Sequence, residues 1–186
     1  MKILLHTCCG PCTVFPLDLL KKNNVEIYFY NPKVYPAEEY QKRKETVQQV
    51  AQRYGWSFGE GEYEPKVWQT AVKGYEHEPE NGQRCLLCFR LRLENTAKSA
   101  KEKGFAAFAT TLAASAFKDV AAINCIGREI AKTEGIKYLA FDLFPEERRQ
   151  AYYEHKRITK EMSLYHQKYC GCIYSIKNQK RLKTTK

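Results

Sequence analysis

The sequence predicts an α/β fold: one domain built on a mostly parallel sheet of about five strands with flanking helices. Three observations point there. Short apolar runs rich in β-formers alternate with longer segments of helical periodicity, the pattern of right-handed βαβ crossovers. The 186 residues fit one domain, and no linker or internal repeat interrupts them. With 44% hydrophobic and 13% aromatic residues, the chain can bury a core.

The elements follow in order. Residues 2–7 (KILLHT) read as a first strand. After a loop at 8–12, Val14 to Lys22 read as a helix that Asn23-Asn24 end. Residues 25–30 (VEIYFY) read as a second strand, closed by Asn31-Pro32. A long charged amphipathic helix is predicted over 36–54, opened by Pro36 and the acidic pair Glu38-Glu39 and stopped by Gly55. A weaker strand over 56–63 and a short helix near 65–73 precede a polar, turn-rich loop from Gly74 to Arg84. Then come a helix over 85–103 ending at Gly104, an apolar strand over 105–110, a helix over 114–134 stopped by Gly135, and a last strand over 136–143. The rest reads as helical to about residue 168. Residues 1–176 are taken as the metal-binding catalytic domain and 177–186 as a basic tail with five Lys or Arg and no acidic residue.

Charge narrows the partners. Thirty-one Lys and Arg against 21 Asp and Glu give a net +10, which favours a polyanion, with nucleic acid first. The apolar run Ile3-Leu4-Leu5 is too short for a signal-peptide core, and no stretch approaches the ~18 apolar residues of a spanning helix. The expectation is a cytoplasmic protein without membrane association. In a reducing compartment, eight cysteines point to metal or redox chemistry rather than to disulfides.

Seven of the eight fall in three tight groups: Cys8-Cys9-Gly10-Pro11-Cys12, Cys85-Leu86-Leu87-Cys88 and Cys170-Gly171-Cys172. Such spacings let neighbouring thiolates converge on one metal centre, and two groups sit at predicted helix starts, where the dipole favours thiolate. Cys125, among Ala121, Ala122, Ile123 and Ile126, reads as an inert core residue. Three chemistries compete. Structural zinc would be satisfied by Cys9, Cys12, Cys85 and Cys88, leaving three cysteines without a task. A thiol–disulfide site at Cys9–Cys12 would leave five. An iron–sulfur centre takes four thiolates, and the surplus suits a second metal or a thiolate kept for substrate.

In this fold class, ligands bind beyond the carboxyl ends of the strands, where strand order reverses. Candidates there are Tyr30 and Asn31 after the second strand, Thr110, Thr111, Ser115 and Lys118 after the fourth, and Asp142 at the end of the last. His6, inside the first strand, reads as a packed histidine. Arg90 and Arg92 are two apart on a helix and so face different directions, one toward RNA phosphate and one toward solvent. Tyr165, Tyr169 and Tyr174 near the third cysteine group are candidates for stacking a base.

Taken together and in this order, CCGPC after the first strand, CLLCFRLRL, ATTLAASAFK and YCGCIYS resemble the QueH-type epoxyqueuosine reductases over nearly the whole chain. The resemblance implies an α/β fold related to PP-loop, adenine-nucleotide-hydrolase-like (HUP-type) proteins. It also implies cobalamin-independent removal of the epoxide oxygen of epoxyqueuosine at the tRNA wobble position, the last step of queuosine synthesis. The expected cofactor is a [4Fe-4S] cluster near the crevice, with an additional iron ion to use the surplus thiolates. The expected partners are tRNA carrying epoxyqueuosine and an external low-potential electron donor. The first-choice cluster ligands are Cys8 or Cys9 with Cys12, Cys85 and Cys88, leaving Cys170 and Cys172 for a second site or a lid. Asp142, Lys118 and Tyr30 are the candidate catalytic side chains. The alternatives are an ATP-using, sulfur-transferring PP-loop enzyme and a zinc-stabilised RNA-binding module. Against the former, His6-Thr7-Cys8-Cys9-Gly10-Pro11-Cys12 is a poor phosphate cradle.

Overall fold

A computed structural model describes residues 1–14, 16–115, 118–141 and 145–176. Asp142 and the basic tail 177–186 lie outside the described residues. Five strands, β1 (Lys2–Thr7), β2 (Asn24–Phe29), β3 (Ser57–Glu60), β4 (Ala107–Thr110) and β5 (Lys137–Leu139), form one sheet in the order β3-β2-β1-β4-β5. Every pairing is parallel. The central strands β1 and β4 are buried runs rather than alternating ones because both faces of the sheet are covered there. Leu4 and Phe108 pack on one face with Phe89, Leu93 and Ile123. On the other, Ile3 and Leu5 pack with Ala107, Ala109 and Phe141.

The helices are α1 (Gly10–Val14), α2 (Leu17–Leu20), α3 (Ala37–Tyr54), α4 (Pro65–Ala71), α5 (Gln83–Glu102), α6 (Val120–Glu134) and α7 (Pro145–Glu161). Three differ from expectation. The first predicted helix is two short pieces, and its start moves back to Gly10, so Cys12 is helical rather than in a loop. The helix expected over 114–134 begins only at Val120, where the Asp119 carboxylate accepts the Ala122 N–H as an N-cap. Before it, Thr111–Ala114 form a 3₁₀ turn capped by Thr110. The last helix stops at Glu161 rather than near 168, and the chain runs irregularly toward the third cysteine group.

Strand order places the site. From β1 the chain steps outward through β2 to β3, then returns to the other side of β1 for β4 and β5. The crossovers on either side therefore diverge at the carboxyl ends of β1 and β4, opening a crevice between them. Residues 8–12 leave β1 at that point and residues 111–115 leave β4 there.

Helix α1 lies tight against α3. A Cβ on Gly10 would come within 2.2 Å of Thr46 Cγ2 and 2.8 Å of the Thr46 carbonyl oxygen. Because one of those atoms is backbone, the contact cannot be relieved by a rotamer change. Gly10→Ala is therefore expected to lower the unfolding free energy by ~1–3 kcal/mol through overpacking, read by denaturant titration. Wild-type stability in this variant would show that α1 moves freely.

Candidate metal centre

The first cysteine group converges. The Sγ atoms of Cys8, Cys9 and Cys12 all lie within 4.8 Å of one another, close enough to ligate one metal ion. Cys8 Sγ is 3.8 Å from Cys9 Sγ and 3.9 Å from Thr111 Oγ1. Gln167 Nε2 donates to Cys9 Sγ at 3.1 Å. The three thiols oppose one another's ionisation. Hydrogen bonds from Cys12 and Cys9 hold Cys8 well below the ordinary thiol range, and the same contact with Cys8 pushes Cys12 well above it. A bound cation would remove that conflict by favouring thiolate at every ligand.

The second and third groups meet elsewhere. Cys85, Cys88, Cys170 and Cys172 line one cavity with Lys33, Arg84 and Arg92, and Cys85 and Cys88 are not members of the close trio. The chain end is drawn in by α3. Buried Arg43 is held by Glu39 at 2.7 Å and donates to the carbonyls of Tyr169 at 2.9 Å and Cys170 at 3.1 Å. Glu39 in turn accepts from Tyr165. Gly171 has φ of +108°, and a Cβ there would approach Arg43 Nη1 to 2.8 Å. Glycine is thus required twice over in the Cys170-Gly171-Cys172 turn.

Charge separates Cys85 from Cys170. At the start of α5, Cys85 accepts the Asn81 N–H at 3.3 Å. Burial outweighs that bond and raises the thiol, so the expected helix-start activation does not carry the day here. Burial also opposes ionisation of Cys170, but the ammonium groups of Lys33 and Lys118 win and bring it down to about 6. Their Nζ atoms lie 3.2 and 3.3 Å from its sulfur. Lys118 loses solvation by burial, yet Cys170 and Glu80, 3.8 Å away, hold its proton more firmly than in water.

The other candidates divide. His6 is fully buried, with Nε2 3.2 Å from the Tyr30 carbonyl and Nδ1 2.8 Å from Thr110 Oγ1. A carbonyl only accepts, so Nε2 carries the proton and Nδ1 accepts from Thr110. Burial, then the charge of Arg92, lower its pKa to about 3, making it a neutral packed residue as the sequence suggests. Tyr30 is buried against Tyr28, and burial raises its phenol. Asn31 donates to the Thr7 carbonyl at 2.8 Å. Tyr169 lies 5.4 Å from the Arg43 guanidinium, and Tyr174 packs on Arg84 and Trp68.

Two expectations are corrected. Cys125 is exposed, with Sγ 3.6 Å from Glu129. The buried stripe of α6 runs through Ile123, Ile126 and Ile130, and helical rotation turns position 125 outward. Arg92 is neither solvated nor on the surface: it is fully buried and donates to Asn31 Oδ1 at 2.6 Å. Arg90 is the exposed one of the pair, bound to Glu129 at 2.6 Å. Lys33, Arg43, Arg84 and Gln167 were not singled out from sequence. For Arg43 a signal existed, since it shares the face of α3 that buries Glu39, Thr46, Val47 and Val50.

Known proteins can now be set beside this geometry. A family model described as "Epoxyqueuosine reductase QueH" matches residues 3–178. Curated relatives of that name are similar across nearly the whole chain. The Haemophilus influenzae protein is 37% identical over 183 residues, covering 97% of this chain and 74% of the relative. The Thermotoga maritima protein is 38% identical over 180 residues, covering 94% and 90%. Two solved structures share the fold. A predicted subunit of a tRNA methyltransferase from Methanocaldococcus jannaschii superposes with TM-score 0.58 at 15% identity, covering 88% of both chains. The U34-tRNA thiolase NcsA from Methanococcus maripaludis, solved with its [4Fe-4S] cluster, gives 0.53 at 13% identity, covering 94% of this chain and 61% of that one.

The Cys170 environment predicts a pH dependence. Its thiol titrates near 9.0 when unperturbed and at about 6 in the fold. Between those values the unfolded chain holds a proton that the folded one has lost, so stability rises with pH by up to about 1.4 kcal/mol per pH unit for this group. The gain is complete above the unfolded value and is lost as pH falls through the folded one. Denaturant titrations of metal-free protein from pH 6 to 9 should show this rise, and Cys170→Ser should flatten it. Equal slopes in the two proteins would contradict the lysine–thiolate contacts.

Proposed function

Because the chain belongs to the epoxyqueuosine reductase QueH family, we infer that it converts epoxyqueuosine in tRNA to queuosine, the final step of queuosine biosynthesis. Family membership across residues 3–178 carries this reading, and the thiol-lined crevice supports it. Removing an epoxide oxygen to leave an alkene takes two electrons and two protons, and the oxygen departs as water. No ordinary side chain supplies low-potential electrons.

The donor set fits an iron–sulfur cluster. A [4Fe-4S] cluster takes four thiolates. The Cys8, Cys9, Cys12 trio offers three, and the cavity group of Cys85, Cys88, Cys170 and Cys172 offers four more. Together they suffice for one cluster and an additional iron ion. When bound, such a cluster supplies electrons one at a time, drawn from an external low-potential donor. The chain's own part is to hold charge and protons around it. Neutral His6 has its only N–H tied to a carbonyl and supplies no proton. Lys118, on the segment that leaves β4 at the crevice, is the proton donor we favour by its place; Cys170 and Glu80 hold its proton firmly, so it would yield it to a strongly basic oxygen such as the alkoxide left by C–O cleavage. Tyr30 also stays protonated at neutral pH. Asp142 remains a candidate acid or metal ligand by its place after β5. Among the described residues no helix is long and apolar enough to cross a membrane. With a net charge of +10, tRNA is held largely through its phosphates.

The decisive experiment is anaerobic reconstitution with iron and sulfide, followed by incubation with epoxyqueuosine-containing tRNA and a low-potential reductant. Mass spectrometry of the digested RNA should find product lighter by one oxygen, without ATP. An iron-loaded protein that leaves the oxygen in place under every reductant would sink the assignment. Cys85→Ala and Cys88→Ala should lose most bound iron and sulfide, whereas Cys125→Ala should keep both. tRNA affinity should fall as salt rises, with a log–log slope of about −0.9 per phosphate neutralised on duplex-like parts. A flat dependence would remove the electrostatic RNA site.

A further inference from the structure

Three cations lie almost wholly inside the protein at one cavity: Lys33 at 4%, Arg84 at 2% and Arg92 at 0% exposure. Buried charge is tolerated where it is paired or fully hydrogen-bonded. Lys33 meets that condition through the carbonyl and sulfur of Cys170. Arg84 meets most of it, since Nη1 serves the carbonyls of Tyr75, Glu76 and Glu78 and the guanidinium packs on Tyr174.

Arg92 does not. Among the described residues its side chain makes one hydrogen bond, from Nη2 to Asn31 Oδ1, and Nε and Nη1 find no partner there. Among the described residues no carboxylate stands within ion-pair distance of it. Trp68 Nε1 and Arg84 Nε, from residues lining the same cavity, also find no partner among the described residues. The cavity thus brings N–H donors with no partner among the described residues together with four cysteine sulfurs. Position on α5 explains the arrangement: Arg92 follows Cys88 by four residues and Cys85 by seven, so all three lie along one helix face.

We propose that Arg92 is a positioning residue for the thiolate-bound centre, its free guanidinium N–H groups serving the sulfurs and its charge offsetting theirs. This rests on the iron–sulfur reading given under Proposed function. Cations and hydrogen bonds at sulfur stabilise the reduced, more negative state and raise the reduction potential. Without the centre, the same guanidinium is an uncompensated buried charge.

The test uses full-length wild type, Arg92→Met, Arg92→Gln and Arg92→Lys, each reconstituted anaerobically. Iron and sulfide are assayed, and the midpoint potential is read by titration followed by electron paramagnetic resonance. The Met and Gln variants should bind iron and sulfide but titrate at lower potential than wild type, with Lys recovering part of the shift. In metal-free protein, Arg92→Met should melt no lower than wild type. Iron-replete Met and Gln variants with wild-type potential would overturn the proposal, leaving the cluster reading intact. So would a metal-free Arg92→Met that melts well below wild type, because Arg92 would then be a strut for Asn31. A Met variant that does not fold is the same strut result and overturns the proposal as well. A wild type that takes up no iron and sulfide overturns the cluster reading and this proposal with it.

Discussion

Everything at the site hangs from the carboxyl end of β1, the central strand. β1 pairs with β2 on one side and β4 on the other, and the chain departs from it in opposite directions on the two sides. A parallel sheet cannot close that gap with its own backbone, so side chains bridge it. His6 on β1 does so, bonded to Thr110 of β4 and to the Tyr30 carbonyl just past β2. Thr110 passes the constraint on by accepting the Leu112 N–H, which sets the 3₁₀ turn toward Thr111 and Cys8. A neutral buried imidazole suits this work, since it can accept from one strand while donating to another without the desolvation cost of a charge.

The three cysteine groups are held by three different means. The first grows directly out of β1, with Gly10 packed against Thr46 of α3. The second rides on α5, a 20-residue helix buried along the face that carries Phe89, Leu93 and Ala97. The third has no regular element beneath it and depends on Arg43, Glu39 and Lys33 reaching up from α3 and the end of β2. Removing one partner of a buried pair such as Glu39–Arg43 typically costs ~3–5 kcal/mol. That cost would fall on the docking of residues 169–172, so the most distant cysteines in sequence are also the ones most dependent on buried electrostatics.

The sequence made the frame legible because a frame is a matter of local pattern. Apolar runs such as FAAFAT, stop signals such as Gly55 and Gly135, and the tight cysteine spacings all act within a few residues of themselves. Both glycines are C-caps in the left-handed region, as their positions imply. What the sequence did not reveal depended on distance or on phase. Arg43 touches residues 126 and 127 positions away, which no local pattern records. Cys125 and Arg92 were misjudged through helical rotation: apolar neighbours along the chain do not imply a buried position, and a charged residue does not imply an exposed one. In both cases the period of 3.6 residues, followed from Ile123 or from Cys88, gives the observed side.

That lesson bears on how the crevice differs in chemistry from others with the same topology. A strand-end crevice in a parallel α/β sheet commonly holds anions through backbone N–H groups at a helix start. Here the element after β1 is five residues long and opens with Gly-Pro-Cys, so Pro11 contributes no N–H and the loop faces the crevice with sulfur. Positive charge comes instead from Lys33, Arg84 and Arg92, which line one cavity with four cysteines. Thiols and buried cations at one cavity match electrostatically when the thiols are anionic. A neutral, fully protonated set would leave the buried guanidinium of Arg92 beside weak acceptors. The fold thus stores, in its unpaired donors, the requirement for negative charge that a metal-bound set of thiolates would meet.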